Sequence, residues 1–232
     1  MRADDLVLVQ GARDTRATLV RWNLNAGPVL GPWVRLAAGV AVALLFATWF
    51  VASLSHPDPT RLDMPGVFRN ATLADAGPIL VRNGLVLALH AFACLAGFIA
   101  GSSLPREAER YSGFTRAIHD RAGAAAMVFV AGATLFSLAT QAYILGGQAS
   151  TLAAQVHLSP AAYLICLLPH ALPELTALFL PLAAWLVAAR RGASEELLAA
   201  TLVTVALAIP TLVLCAIIEL EISPRIVVAL AG

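Results

Sequence analysis

The chain contains 232 residues, of which 59% are hydrophobic and 12% are charged, and its mean hydropathy is +0.81. Because a soluble domain usually carries about 25% charged residues, this composition excludes an ordinary soluble domain and predicts a membrane protein. The net charge is +1, which argues against a nucleic-acid-binding surface, and all 15 basic residues are arginine.

The first 32 residues are predicted to form a cytoplasmic N-terminal segment without a signal peptide. A signal peptide would place its apolar core directly after the first charges, but the first long apolar run starts only near Trp33. Residues 6–24 alternate apolar side chains with arginines, which predicts either an amphipathic helix that meets lipid head groups or a loosely ordered tail. The transmembrane domain is predicted to cover residues 33–232.

Apolar runs of about 20 residues, the length that crosses a bilayer, predict an all-α polytopic bundle with about five transmembrane spans. The runs cover residues 33–54, 79–101, 122–145, 159–189 and 197–220. In the second run, Gly97 and Gly101 have the small-xxx-small spacing that lets helices approach closely, although an alanine-rich composition alone also produces such spacing.

The distribution of arginine predicts the orientation of the chain. The N-terminal segment, the 102–121 loop and the turn at 190–191 together hold most of the arginines, and the opposite side holds the rest. The positive-inside rule then predicts a cytoplasmic N-terminus and an extracytoplasmic C-terminus. The absence of lysine is typical of a high-GC bacterial genome, so the membrane is predicted to be a bacterial plasma membrane.

The fourth run, residues 159–189, is too long for a simple span. As one straight helix it would measure about 46 Å, whereas the hydrocarbon core is about 30 Å thick. Pro169 and Pro173 stand where the excess begins, and internal prolines kink or break helices. The sequence therefore predicts a broken element, with a re-entrant piece at 159–168, a break at the prolines, and a true span over 170–189.

Polar side chains recur at similar depth in three of the predicted spans. Counting along each helix from its predicted inner end places Asn83, Glu174 and Glu219 in the outer half of the membrane, with His170 further out. His170 and Glu174 share a face if the backbone is helical, and ionisable groups in membranes usually face the protein interior. The sequence therefore predicts either an outward-facing polar pocket or structural hydrogen bonds between helices.

Three further residues, Arg82, His90 and Glu221, are secondary candidates for this polar group. Arg82 would give Glu174 or Glu219 a cationic partner, or would extend to the membrane surface. His90 lies nearer the midplane, where a single histidine more often makes a hydrogen bond between helices than binds a ligand.

Catalytic and metal-binding motifs are absent from the sequence. It contains no H-E-x-x-H, no G-x-S-x-G and no Walker A motif. One histidine and one carboxylate are too few for a metal site, so no metal or cofactor is predicted. The cysteines lie in apolar runs without C-x-x-C spacing, so no disulfide is predicted. A His–Glu pair can still relay protons or support hydrolysis, which leaves an intramembrane hydrolase as the least favoured function.

Three stretches carry a family resemblance: LVRNGLVLALHAFACLAGFIAG, LLPHALPELTALFLPLAAWLVAARRG and CAIIELEISPRI. In this order and spacing they resemble the stage II sporulation protein M family of multi-pass membrane proteins, over about residues 79–226. The family's polar motif positions correspond here to Asn83, then Pro169, His170 and Glu174, then Glu219 or Glu221 followed by Ser223 and Pro224. Two positions depart from the pattern, because Arg82 stands where a second asparagine is common and Ala171 replaces a glycine.

The resemblance implies a membrane protein that anchors peptidoglycan-degrading partners without being the hydrolase, in a family that also occurs in bacteria that never sporulate. The first function expected is therefore a non-catalytic scaffold of a cell-envelope complex. Its expected partners are the lipid bilayer, other membrane or cell-wall-remodelling proteins, and a second copy of the chain bound through a glycine-rich face. The alternative is a transporter or permease-like subunit whose polar pocket contains His170 and Glu174.

Overall fold

A computed structural model describes residues 7–99 and 113–232 of the chain, with side chains at 13–99, 125, 128–129 and 131–232. Within these ranges the protein is all-α and has no β-strand, apart from an isolated bridge between Pro65 and Arg69. This confirms the predicted fold class. Gly101 and residues 102–112 of the predicted 102–121 loop lie outside the described residues, and residues 113–121 are helical, so the loop prediction is wrong there.

The helices are α1 (Val7–Leu24), α2 (Gly27–Leu54), α3 (Leu73–Phe98), α4 (Gly113–Gln155), α5 (Pro160–Arg191), α6 (Leu197–Glu221) and α7 (Ser223–Ala231). Four described segments are long and apolar enough to cross a membrane: α2, α3, α5 and the continuous stretch Ser194–Ala231 that contains α6. They correspond to the first, second, fourth and fifth predicted spans. The third predicted span, 122–145, lies within α4, where several side chains are outside the described residues, and it stays a prediction.

Helix α5 shows that the predicted break in the fourth segment is wrong. The helix runs without interruption from Pro160 to Arg191 and passes through Pro169 and Pro173. Its most apolar stretch is 61% buried, against 22% or 28% in the other three candidate spans. Burial of much of the helix therefore holds its backbone in the helical conformation, although Pro169 itself is exposed. A helix longer than the hydrocarbon core can tilt or extend beyond it, so the length of α5 does not require a break.

Close packing divides the chain into two compact units, and the boundaries fall inside helices α2 to α6. The first unit comprises Met1–Ala37, Leu87–Thr134 and Phe179–Ala208, and the second comprises Ala38–Val86, Leu135–Leu178 and Ile209–Gly232.

In the first unit, α3 approaches α5 closely at Gly97. A Cβ atom on Gly97 would lie 2.4 Å from Trp185 Cδ1, so only glycine fits at this position. His90 is buried in the same unit, with its ring centroid 5.3 Å from that of Phe179. The predicted N-terminal segment forms helix α1, which agrees with the helical alternative for residues 6–24.

In the second unit, a connection between α2 and α3 is fastened to the end of α4 by hydrogen bonds. The Asp58 backbone N–H donates to Thr151 Oγ1 at 3.0 Å, and Gln155 Nε2 donates to the Thr60 carbonyl at 2.9 Å. These bonds satisfy loop backbone groups that would otherwise be left without partners. The unit also contains an apolar core around Tyr163, to which residues of α2, α4, α5 and α7 contribute.

Candidate functional site

Three helices of the second unit deliver the predicted polar residues to one place. Asn83 lies on α3, His170 and Glu174 lie on α5, and Glu219 lies on α6. The exposed fractions of Asn83, His170 and Glu174 are 3%, 7% and 8%, so these side chains face the protein interior. Membrane-embedded polar groups are expected to do so, because lipid offers them no hydrogen-bond partner.

A hydrogen bond fixes His170. Its Nδ1 atom lies 2.7 Å from Ser223 Oγ, and Ser223 is 1% exposed at the first position of α7. Helix α7 starts there because Pro224 follows, and proline favours the first turn of a helix. Pro224 is itself held by the loop, since a Cβ on Gly66 would lie 2.6 Å from Pro224 Cγ. The imidazole orientation is thus set by the α6–α7 junction.

Glu174 lies one helical turn from His170 and is the centre of the charged group. The Asn83 amide lies beside it without completing a hydrogen bond, and Glu219 and Arg82 are within electrostatic range. Asn83 Nδ2, Glu174 Oε2 and Glu219 Oε2 have no hydrogen-bond partner among the described residues. Leaving a buried polar atom unpaired costs about 1–3 kcal/mol. These three atoms therefore carry a free-energy cost that hydrogen bonds among the described side chains do not remove.

These residues border a cavity of about 190 Å³, which we call the polar chamber. Its polar wall consists of Thr48, Arg82, Gln148, His170, Glu174 and Glu219. A second cavity of about 430 Å³, which we call the vestibule, shares Arg82, Gln148, His170 and Glu219 with the chamber and adds Asp63, Arg69, Asp75 and Ser223. The shared walls make the two cavities neighbours within the second unit.

An ion-pair cluster in the α2–α3 connection forms one wall of the vestibule. Arg69 Nε donates to Asp63 Oδ2 at 2.9 Å, and its terminal nitrogens donate to both carboxylate oxygens of Asp75. The hydrogen bonds with Asp75 and then Asp63 raise the pKa of Arg69 above its ordinary value. The cluster holds the loop across the vestibule, and no sequence motif pointed to it.

Other predicted candidates do not join the chamber. Glu221 is exposed and pairs with Arg225 at 2.9 Å, so Glu219 is the chamber residue of the two glutamates that the resemblance left open. His90 belongs to the first unit, beside Phe179. Pro169 and Pro173 lie inside the uninterrupted α5 and do not form a break.

The chemistry of the chamber suits binding of a polar group. Its carboxylates accept hydrogen bonds, Arg82 donates them, and Asn83 can do either. Within the described ranges, no group of three or more His, Cys, Asp or Glu side chains has the arrangement needed to hold a metal ion. Ser223 Oγ and His170 Nδ1 have the spacing of a nucleophile and a base, and Ser223 is almost fully buried.

Comparison of the chain with protein-family models, with curated proteins and with solved structures found no match.

Proposed function

We propose that this chain is a non-catalytic, multi-pass scaffold of a bacterial cell-envelope complex, similar to the stage II sporulation protein M proteins. One observation supports the proposal: the residues that carry the resemblance meet in one site. Asn83, His170, Glu174, Glu219 and Ser223 come from distant parts of the chain. The last four line the chamber or the vestibule, and Asn83 lies beside Glu174. A set of motifs that arose by chance would have no reason to converge in space.

In this proposal the protein lies in the plasma membrane, with its N-terminus in the cytoplasm, and binds cell-wall-remodelling or other membrane proteins. The expected homodimer would use α3, the candidate span with the least buried apolar stretch. The surface at Gly97 is already in contact with Trp185 of the same chain. The face available for a second copy is therefore the exposed one that contains Gly84, Val81 and Leu85.

A second function, a transporter or permease-like subunit, is favoured by the unpaired atoms of the chamber. Polar residues that only join helices are expected to satisfy each other, as buried polar groups usually do. Instead, Glu174 Oε2 and Glu219 Oε2 are left unpaired among the described residues, on the walls of a cavity. Sites for small polar solutes in transporters have this composition.

Neutral replacements of His170 and Glu174 separate the two functions. We would prepare His170→Gln and Glu174→Gln, with Glu221→Gln as the matched control, because Glu221 is exposed and outside the chamber. Three quantities are measured for each: the melting temperature, the recovery of membrane partners in pull-downs from native membranes, and the flux of a panel of small solutes into proteoliposomes.

The scaffold function predicts that both chamber variants lose partners together with stability, and the transport function predicts that flux falls while assembly is retained. Chamber variants that match Glu221→Gln in all three measurements would refute both functions. Loss of a hydrolytic activity with assembly retained would instead identify the intramembrane hydrolase.

A further inference from the structure

The first unit contains an apolar groove that is separate from the polar chamber. It is a cavity of about 550 Å³ whose apolar walls come from α1, the start of α2 and α6: Leu19, Val20, Trp22, Leu24, Ala26, Val29, Leu30 and Val203. At its edge Val20 is 61% exposed and Leu24 is 85% exposed. Contact between water and large apolar side chains that are this exposed is unfavourable. The groove therefore favours an apolar ligand.

A polar pocket adjoins the groove. This second cavity measures about 290 Å³ and shares Trp22 and Val29 with the groove. Two guanidinium groups, of Arg21 and Arg191, and one carboxylate, of Glu196, line it. Arg21 pairs with Glu196 at 2.5 Å, whereas Arg191 makes no ion pair or hydrogen bond within the described ranges. Among the described side chains, Arg191 is therefore the positive charge of the pocket without an acidic partner.

Two tryptophans mark the level at which the apolar and polar parts meet. The rings of Trp22 and Trp33 pack edge to face, with their centroids 5.3 Å apart, and both line the polar pocket. Tryptophan is enriched where a membrane protein passes from the acyl chains to the lipid head groups. The order of side chains, from apolar groove through tryptophan to Arg191, follows the order of chemical groups in a phospholipid.

We propose that this groove and pocket bind one anionic phospholipid, with its phosphate at Arg191 and Asn25 and an acyl chain along Leu19, Leu24 and Val203. An anionic lipid is preferred over a zwitterionic one because its head group has no ammonium to balance the phosphate and so compensates Arg191. Basic pockets beside membrane helices bind acidic head groups in this manner. The site involves no residue of the polar chamber, and the proposal does not depend on the proposed function.

The test is native mass spectrometry of the purified full chain, titrated with phosphatidylglycerol or with phosphatidylcholine of the same acyl chains. We expect the wild-type protein to bind phosphatidylglycerol at least about fivefold more tightly, since one arginine near a membrane contributes about that factor. Arg191→Gln should abolish the preference and Arg191→Lys should largely keep it. The matched control is Arg225→Gln, which removes an exposed arginine of the second unit that pairs with Glu221.

A second variant tests the acyl part of the site. Val203→Trp fills the groove and should weaken the binding of both lipids while leaving their ratio unchanged. The melting temperature of each variant shows whether it is folded. The proposal is overturned if the wild-type protein binds the two lipids equally, or if Arg225→Gln lowers the preference as much as Arg191→Gln does. Dissociation of a dimer by Arg191→Gln, without a change in lipid binding, would overturn it in favour of self-association.

Discussion

Replacing Gly146 with alanine tests the closest helix contact beside the polar chamber. A Cβ atom on Gly146 would lie 2.6 Å from Val51 Cγ1 and 3.0 Å from the Thr48 carbonyl oxygen, both on α2. The carbonyl belongs to the backbone, and Val51 is attached to the backbone at its branched Cβ, so rotation of a side chain cannot relieve the clash. Helix α2 must move away from α4, and Thr48 forms part of the chamber wall.

The neighbouring glycine provides the control for this experiment. Gly147 lies on the same helix, and a Cβ atom there would meet nothing within 4 Å. Alanine is more favourable than glycine in a helix by about 1 kcal/mol, and this gain is common to Gly146→Ala and Gly147→Ala. The difference between the two variants therefore isolates the steric cost of overpacking, which is about 1–3 kcal/mol. For a chain of this length that corresponds to a melting temperature about 2–12 °C lower for Gly146→Ala.

The cysteines of the chain make the assay straightforward. Cys94, Cys166 and Cys215 are free and buried, so a thiol-reactive fluorophore reports their exposure as the detergent-solubilised protein unfolds. Melting curves of the wild-type protein and both variants give the comparison directly. If Gly146→Ala melts at or above the temperature of Gly147→Ala, the α2–α4 contact accommodates a Cβ atom and the predicted steric cost is refuted.

Two further predictions concern the second unit. Ser223→Ala should destabilise the protein by about 1–3 kcal/mol, because it leaves the buried Nδ1 of His170 without its partner; a melting temperature equal to that of the wild-type protein would contradict this role. Hydrogen bonds from the Thr60 side chain and then its backbone N–H lower the pKa of Asp58 below its ordinary value of 3.8. These hydrogen bonds therefore stabilise the folded protein fully when the pH is above the ordinary pKa of Asp58. Their stabilisation is lost as the pH falls through the lower pKa of the folded state. Thr60→Val should raise the pKa in an NMR titration of ¹³C-labelled aspartate, and an unchanged titration would show that the hydroxyl has no role.

The sequence predicted the candidate spans and the depth of the polar residues because both depend on simple counting. Apolar run length locates a span, and helical rise converts residue number into depth. Asn83, Glu174 and Glu219 were expected at similar levels on this basis. In the structure Glu174 and Glu219 line one cavity, and Asn83 lies beside Glu174. The choice between Glu219 and Glu221, in contrast, required the burial that only the structure shows. Glu219 is four residues after the buried Cys215 and shares its helix face, whereas Glu221 lies on the opposite face.

The unbroken α5 was missed because proline acts on the backbone locally while packing acts over the whole helix. Pro169 and Pro173 remove two backbone donors, which in an isolated helix favours a break. In the protein, neighbouring side chains bury much of α5 and hold its axis, and no local pattern contains that information. Gly97 illustrates the same limit, since its spacing predicted a close approach but could not identify Trp185 of the same chain as the partner.

The unpaired groups of the chamber bear on whether the site is structural or functional. A net stability of about 5–15 kcal/mol is typical of a folded domain, and each unsatisfied buried atom costs about 1–3 kcal/mol. Apolar residues of similar volume often replace buried ionic groups without loss of stability. A chamber whose only purpose was to join helices would therefore gain by losing Glu174 and Glu219. Their presence supports the proposed transport function, in which they bind a polar solute, and the solute-flux and pull-down measurements on His170 and Glu174 variants test it.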